Sequence, residues 1–490
     1  MAWKQIEATP SHRSYLILST FLIAYTLFAT FIRNRLHLSE PPIALLGGII
    51  LGPRGLGWIN PNECNGLRCI DEVGQGNKES WGWGDNIIQE TTRVIVGIQV
   101  FTVGIELPKH YATRHWKSVA MMLGPVMAFG WLFCALLIHL LFQTGAATAL
   151  TIAACLTPTD PVLAASILSN SQFSERVPKR VKNLISAETG CNDGISFPFL
   201  YIGLYALLST NFGEAAREYF LVTILWQCAF GTAVGLIIGT FFNRVLRFSE
   251  KRQYVDEAGL TVFYLLLALL SVGVGSTLGS DDFLVAFGAG YGFARDGWFQ
   301  KKIKSAHLPE VVDLMLNSAM FVYFGTIIPW HAFTQGEITY MLTPWKLTLF
   351  AVLVLLFRRI PIMLAVYKFT PDIRTFNEAI FCGWFGPMGL GALFLAIEAR
   401  AMLETGTASP LPHPPKYSKP YSPKHLAIEL IWPIVSFVVL SSTFVHGLSV
   451  LVLSIASHFK RPEGERAPLL AAETDPLDGM IHDGSGSEDD

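Results

Sequence analysis

Apolar runs long enough to cross a membrane recur along this chain from Tyr15 to Ser457, separated by short polar connections. A helix crosses the hydrocarbon core with about 20 apolar residues, and only helices and closed barrels satisfy their own backbone there. On that basis the pattern predicts spans at Tyr15–Ile32, Pro42–Leu51, Ile87–Leu107, Ser118–Phe142, Ala146–Ser169, Val181–Ser209, Tyr219–Phe242, Glu257–Leu278, Asp282–Ala294, Val311–Ile328, Pro344–Tyr367, Asn377–Ala401 and Ala427–Ser457. The second and ninth are short and glycine-rich. The last is longer than a bilayer requires and is expected to tilt or run past the surface. The expected fold is an all-α polytopic membrane protein with about 13 transmembrane helices. A short N-terminal segment, 1–14, precedes this transmembrane domain, 15–457. The polar, acidic segment 458–490 follows, and its composition reads as a disordered tail.

Composition agrees with the pattern. The chain is 51% hydrophobic and 15% charged, against about 25% charged in a soluble domain. A net charge of −2 gives no reason to expect a nucleic-acid partner, and lipid is the expected surrounding. Met1 to Ser14 has no basic stretch leading into a short apolar core and a cleavage site, so no removable signal peptide is expected. Of seven cysteines, Cys134, Cys155, Cys191, Cys228 and Cys382 lie in apolar segments and read as packed thiols. Cys64 and Cys69 share one polar loop, where a disulfide can form if the loop faces an oxidising compartment.

Basic residues mark alternate loops: Arg33/Arg35, Lys109/Arg114/Lys117, Arg176/Lys179/Arg180/Lys182, Arg244/Arg247/Lys251/Arg252, Arg295/Lys301/Lys302/Lys304 and Lys368/Arg374. Lysine and arginine accumulate on the cytosolic side of membrane proteins. All six loops share one side only if the N-terminus is outside and the C-terminus is cytosolic.

Candidate chemistry lies in the interruptions of the apolar pattern. Asp160, in Thr157-Pro158-Thr159-Asp160-Pro161, and Asp193, in Glu188-Thr189-Gly190-Cys191-Asn192-Asp193-Gly194, sit in the middle of spans. A carboxylate at membrane depth is costly and marks an ion or proton path; a proline kink with a locally bonded aspartate is the structural alternative. Pro158 and Pro161 break the fifth span and expose carbonyls, including that of Thr159, to a hard cation. Thr189 lies one turn before Asp193 on the same helix face, and Asn192 points toward the break. Gly383–Gly391 interrupts the twelfth span. Paired broken helices in two halves point to an inverted-repeat transporter. Glu188 and one of Arg358/Arg359 are expected to pair, chiefly for structure; which arginine pairs is open, and the other can snorkel to the surface. Glu106 ends the third span and reads as interfacial, with ion binding the lesser alternative. Asp281/Asp282 read as helix caps at the outer surface, and His139 and His446 as packing residues.

Thr-Asp-Pro in a broken fifth helix, Glu-x-x-x-Asn-Asp in the sixth and a broken twelfth helix together resemble the cation:proton antiporter superfamily. The tryptophan- and glycine-rich Gly383–Gly391 is similar to the fungal plasma-membrane Na⁺/H⁺ antiporter branch. The likeness covers Tyr15 to Ser457. It implies inverted repeats with two crossing broken helices, a mobile core domain and a dimerisation domain, hence a homodimer. It also implies that Asp193 and Asp160 are the ion-binding aspartates, that Thr159 and Thr189 supply ligands, and that Glu188 partners a core arginine. Asn192-Asp193, in place of two consecutive aspartates, resembles the electroneutral branch. Many relatives carry an arginine where Met388 stands, so that arginine's role does not transfer, and the short tail puts regulation by a calmodulin-type partner in doubt. The expected activity is exchange of Na⁺ or Li⁺, with K⁺ as an alternative cargo, for H⁺ at the plasma membrane; these ions are cargo, and neither a resident cofactor nor enzymic chemistry is expected. A K⁺/H⁺ or endomembrane cation/proton exchanger and, in another class, a cation channel are the competing readings.

Overall fold

The structure, a computed structural model, describes residues 10–32, 38–61, 84–168, 177–209, 211–303, 308–334, 341–411 and 421–460. Cys64, Cys69 and residues 461–490 of the expected tail lie outside them. The described regular elements are all helical. In chain order they are α1 (Pro10–Phe31), α2 (Glu40–Leu51), α3 (Asp85–Glu106), α4 (Trp116–Phe142), α5 (Ala146–Ala154), α6 (Pro161–Leu168), α7 (Lys179–Leu208) and α8 (Phe212–Lys251). Then follow α9 (Glu257–Leu278), α10 (Asp282–Ala294), α11 (Leu308–Ile327), α12 (Pro344–Phe357), α13 (Ile360–Val366), α14 (Phe376–Trp384), α15 (Leu390–Thr405) and α16 (Pro423–Lys460). Short helical turns at Tyr111–Arg114, Trp298–Ile303 and Trp330–Thr334 lie in connections.

Every predicted span falls on a helix or on a pair of half-helices. The fifth divides into α5 and α6, and the twelfth into α14 and α15, where the prolines and glycines placed the breaks. The second interruption is narrower than Gly383–Gly391: Gly383 is still in α14 and Gly391 already in α15. The eleventh span, expected to be continuous, is also divided, at Arg358 and Arg359, between α12 and α13. Pro361 sits in the first turn of α13, where its missing N–H leaves no unpaired donor.

Local chemistry accounts for many of the ends. Asp256 caps α9 by accepting from the Gly259 N–H, and Thr375 and Glu378 form a reciprocal capping box on α14. Gly279 and Gly406 end α9 and α15 at φ +59° and +73°, a backbone region open to glycine. In α4 a π-helical turn, Met122–Val126, forms around Pro125 and accommodates its missing donor.

Among the described residues, six helices are long and apolar enough to cross a membrane by length and composition, and shorter apolar helices include α2 and α10. Within the bundle α10 packs between α3 and α8, α2 lies on α11, α7 on α5, and α15 on α16. A buried apolar core runs from Leu45 of α2 through Ile152 of α5 and Leu395 of α15 to Val435 of α16. The two interrupted spans meet inside it.

Candidate functional site

The breaks face each other at residues 155–160 and 385–389. The Asp160 N–H donates to the Pro387 carbonyl at 2.7 Å, one backbone hydrogen bond between the two interruptions. The Asp160 carboxylate, 2% exposed, accepts from the Leu163 N–H of α6 at 2.8 Å and from the Leu390 N–H of α15 at 3.3 Å. One carboxylate thus caps both half-helices that begin at the crossing. Their N-termini carry partial positive charge and favour an anion there.

Asp193 sits mid-way along α7 and is 1% exposed. Neither of its carboxylate oxygens has a hydrogen-bond partner among the described residues. Its surroundings are set by close approach of backbone: a Cβ placed on Gly391 would run into the Asp193 carboxylate, and one on Gly389 into that of Asp160. Pro158 borders the same space, 3.3 Å from the Gly391 Cβ position. The glycines of the second break therefore leave room against both aspartates. An isolated ionised carboxylate in such a place costs several kcal/mol or more, so this arrangement suits a group that holds a proton or a small cation.

Asn192 turns to the first break as expected. Its amide nitrogen donates to the Thr159 hydroxyl at 2.5 Å and its oxygen accepts from the Thr159 N–H at 3.3 Å. Thr157 donates to the Ser196 hydroxyl at 2.9 Å, and Ser196 to the Asn192 carbonyl at 2.5 Å, which locks the break against α7. Thr189 is buried, and its hydroxyl donates to the Ser186 carbonyl of its own helix at 3.1 Å. Glu106, the last residue of α3, is exposed, which fits the interfacial reading. His446 is a buried packing residue, bonded to Ser442 and, through Nε2, to the Trp384 carbonyl at 3.0 Å.

The arginine question resolves in favour of Arg359, whose guanidinium makes a two-pronged pair with Glu188, one prong at 2.5 Å. Neither arginine snorkels: Arg358 and Arg359 are both buried, because the division between α12 and α13 turns them inward. Arg358 donates to the carbonyls of Leu156 and Gly386. A cavity of about 20 Å³, roughly one water in size, is lined by Thr157, Glu188, Arg358, Arg359 and residues of α4.

Asp281 does cap α10, accepting from the Phe283 and Leu284 N–H groups, but it is not at the surface. It is 2% exposed and lies 2.9 Å from the Cβ position of Gly194, the residue after Asp193. The packing of α10 against α3 and α7 covers this cap. Beyond it, Asp282 pairs with Arg93 of α3 at 3.3 Å, Arg93 approaches Glu398 of α15 at 3.8 Å, and Gln89 donates to Glu398 at 2.5 Å. At the other end of α7, Arg180 makes a two-pronged pair with Glu378 at 2.7 and 2.9 Å. Sequence reading counted Arg180 only as a loop charge. The one available signal was Glu378 itself, an acid just inside the twelfth span.

Residues 18–455 match the family model described as sodium/hydrogen exchanger, transmembrane. The chain belongs to this sodium/hydrogen exchanger family. Among its relatives, Na⁺/H⁺ antiporter 2 of Zygosaccharomyces rouxii is 40% identical over 94% of the chain and 54% of its own length. A Na⁺/H⁺ antiporter of Saccharomyces cerevisiae is 39% identical over 93% of the chain and 45% of its own length. The chain spans about half the length of these two. A Na⁺/H⁺ antiporter of Schizosaccharomyces pombe is 34% identical, with 94% of each chain covered. The fold is shared with the sodium proton antiporter MjNhaP1 of Methanocaldococcus jannaschii, at a TM-score of 0.62 and 17% identity over 92% of this chain and 97% of that one.

Proposed function

We propose that this exchanger-family protein moves Na⁺ or Li⁺ across a membrane in exchange for H⁺, and that the two compete for Asp193. The observation that carries this is the Asp193 carboxylate, buried with both oxygens lacking a hydrogen-bond partner among the described residues, while the neighbouring Glu188 has a full counter-charge in Arg359. A hard, oxygen-seeking cation or a proton would each neutralise it, and occupancy by one excludes the other. If the site faces one side of the membrane at a time, that exclusion couples the two fluxes. Asp160 and Thr159 sit at the facing break, and with Thr189 they are the further oxygen donors of this reading; Asn192 orients Thr159. The family membership and the antiporter names of the fungal relatives support it.

The same reading assigns a one-for-one, electroneutral exchange, because a single carboxylate changes its cargo. It places the protein in the plasma membrane with the N-terminus outside, as a homodimer in which the segment holding the crossing moves against the rest. K⁺ is the alternative cargo. The deciding experiment is dissipation of a pH gradient in proteoliposomes by Na⁺, Li⁺ and K⁺, with voltage clamped and unclamped. Cation-driven dissipation at the same rate in both conditions is the expected result. Passive current without proton movement would instead identify a channel.

A further inference from the structure

The fifth and twelfth spans each have two loose ends at their breaks, and the structure treats these four ends in two matched sets. The half-helices that begin at the crossing, α6 and α15, share Asp160 as their cap. The half-helices that finish there, α5 and α14, end at Ala154 and Trp384. The carbonyls two residues past those ends, Leu156 and Gly386, both accept from Arg358. C-terminal ends carry partial negative charge and favour a cation. The Arg358 stem is wedged against α4, where a Cβ on Gly130 would lie 3.1 Å from it. Arg358 pairs with no carboxylate among the described residues, since Glu188 is taken by Arg359.

We infer that Arg358 is a positioning residue of the cation site: its guanidinium ties the finishing ends of both broken spans together, and its charge opposes that of Asp160 across the crossing. This deepens the exchanger reading and rests on it. The two functions separate by chemistry. The fork reaches two carbonyls at once, a geometry that a lysine ammonium on a flexible stem does not reproduce. The charge, by contrast, is common to both residues. A fixed positive charge near the crossing repels any positive cargo and so promotes its release.

The sign of the effect follows. In Arg358→Met the carboxylates lose an opposing charge, so a singly charged cation is held more tightly and leaves more slowly. Read at a pH high enough that protons no longer compete for Asp193, half-saturating Na⁺ should fall by about fivefold and turnover by tenfold or more, taking about 1–2 kcal/mol for one removed neighbouring charge. General damage to the site would move half-saturation the other way. In Arg358→Lys the charge remains but the fork is lost, so half-saturation should stay near that of the wild type while turnover drops. Both quantities are read in proteoliposomes, and half-saturation is also read as Na⁺-dependent thermal stabilisation of the detergent-solubilised full chain, which needs no exchange. Unchanged or raised half-saturating Na⁺ in Arg358→Met overturns the charge assignment; wild-type turnover in Arg358→Lys overturns the fork. If Na⁺ stabilises the wild-type chain but drives no proton movement, the exchanger reading fails while the stabilisation titration still decides the role of Arg358.

Discussion

In the proposed exchange, Asp193 is the residue on which a cation and a proton exclude one another. Replacing it by asparagine removes the exchangeable charge and keeps the volume. Asp193→Asn should therefore insert and fold normally yet lose at least about a hundredfold in exchange rate, as expected when an intramembrane functional carboxylate is neutralised. Near-normal flux from that variant in vesicles would dismiss the proposal. Asp160→Asn should be severely slowed too, for a different reason: it weakens the cap on two half-helices at once. These two aspartates, Asn192 and Glu188 are legible from the chain because a polar group is conspicuous in an apolar run. Arg358 and Asp281 are not. Arg358 reads equally well as a snorkelling side chain until the carbonyls of Leu156 and Gly386 are seen beside it. Asp281 reads as a surface cap because nothing in its own segment reveals that α3 and α7 cover it.

Broken helices need something to hold their pieces, and here buried ion pairs do much of it. Glu188 with Arg359 joins α7 to the start of α13, and Arg180 with Glu378 joins the start of α7 to α14. Glu378 also receives N–H groups from Arg374 and Thr375, so its carboxylate serves a cap and a counter-charge together. Removing one partner of a buried pair leaves a stranded charge and costs about 3–5 kcal/mol. Glu378→Ala should lower the thermal unfolding midpoint markedly, whereas the double change Arg180→Met with Glu378→Leu should recover much of it. An additive double variant, measured by the same melt, would show that the pair contributes no coupling. Breaks in the fifth and twelfth spans were readable from proline and glycine. The division of the eleventh was not, because two adjacent arginines followed by Ile-Pro are also compatible with a helix end at the surface.

At the level of the whole molecule, thirteen predicted spans map onto the observed helices in order, which keeps the alternation of basic loops intact. The sidedness proposed from that alternation can be tested. In the proposed orientation Phe212, 89% exposed at the start of α8, is on the outer side, and exposed Thr113, just after α3, on the cytosolic side. A membrane-impermeant thiol reagent applied to intact cells should add label for Phe212→Cys over the wild-type chain and none for Thr113→Cys. Inverted labelling would reverse the proposed orientation. The long-range architecture was legible because hydropathy reports each span separately. The side-to-side order was not, since α10 lying between α3 and α8 depends on contacts between elements far apart in the chain.

Gly389 and Gly391 each stand where one added carbon would occupy the face of an aspartate. In the proposed exchange Gly391→Ala is then a stopper: its methyl group fills the space a dehydrated ion would need at Asp193. The variant should lose Na⁺-dependent thermal stabilisation as completely as Asp193→Asn does, although every ionisable group of the wild-type chain is still present. On that reading the difference between a carrier and a blocked one comes down, at that position, to a methyl group in place of a hydrogen atom.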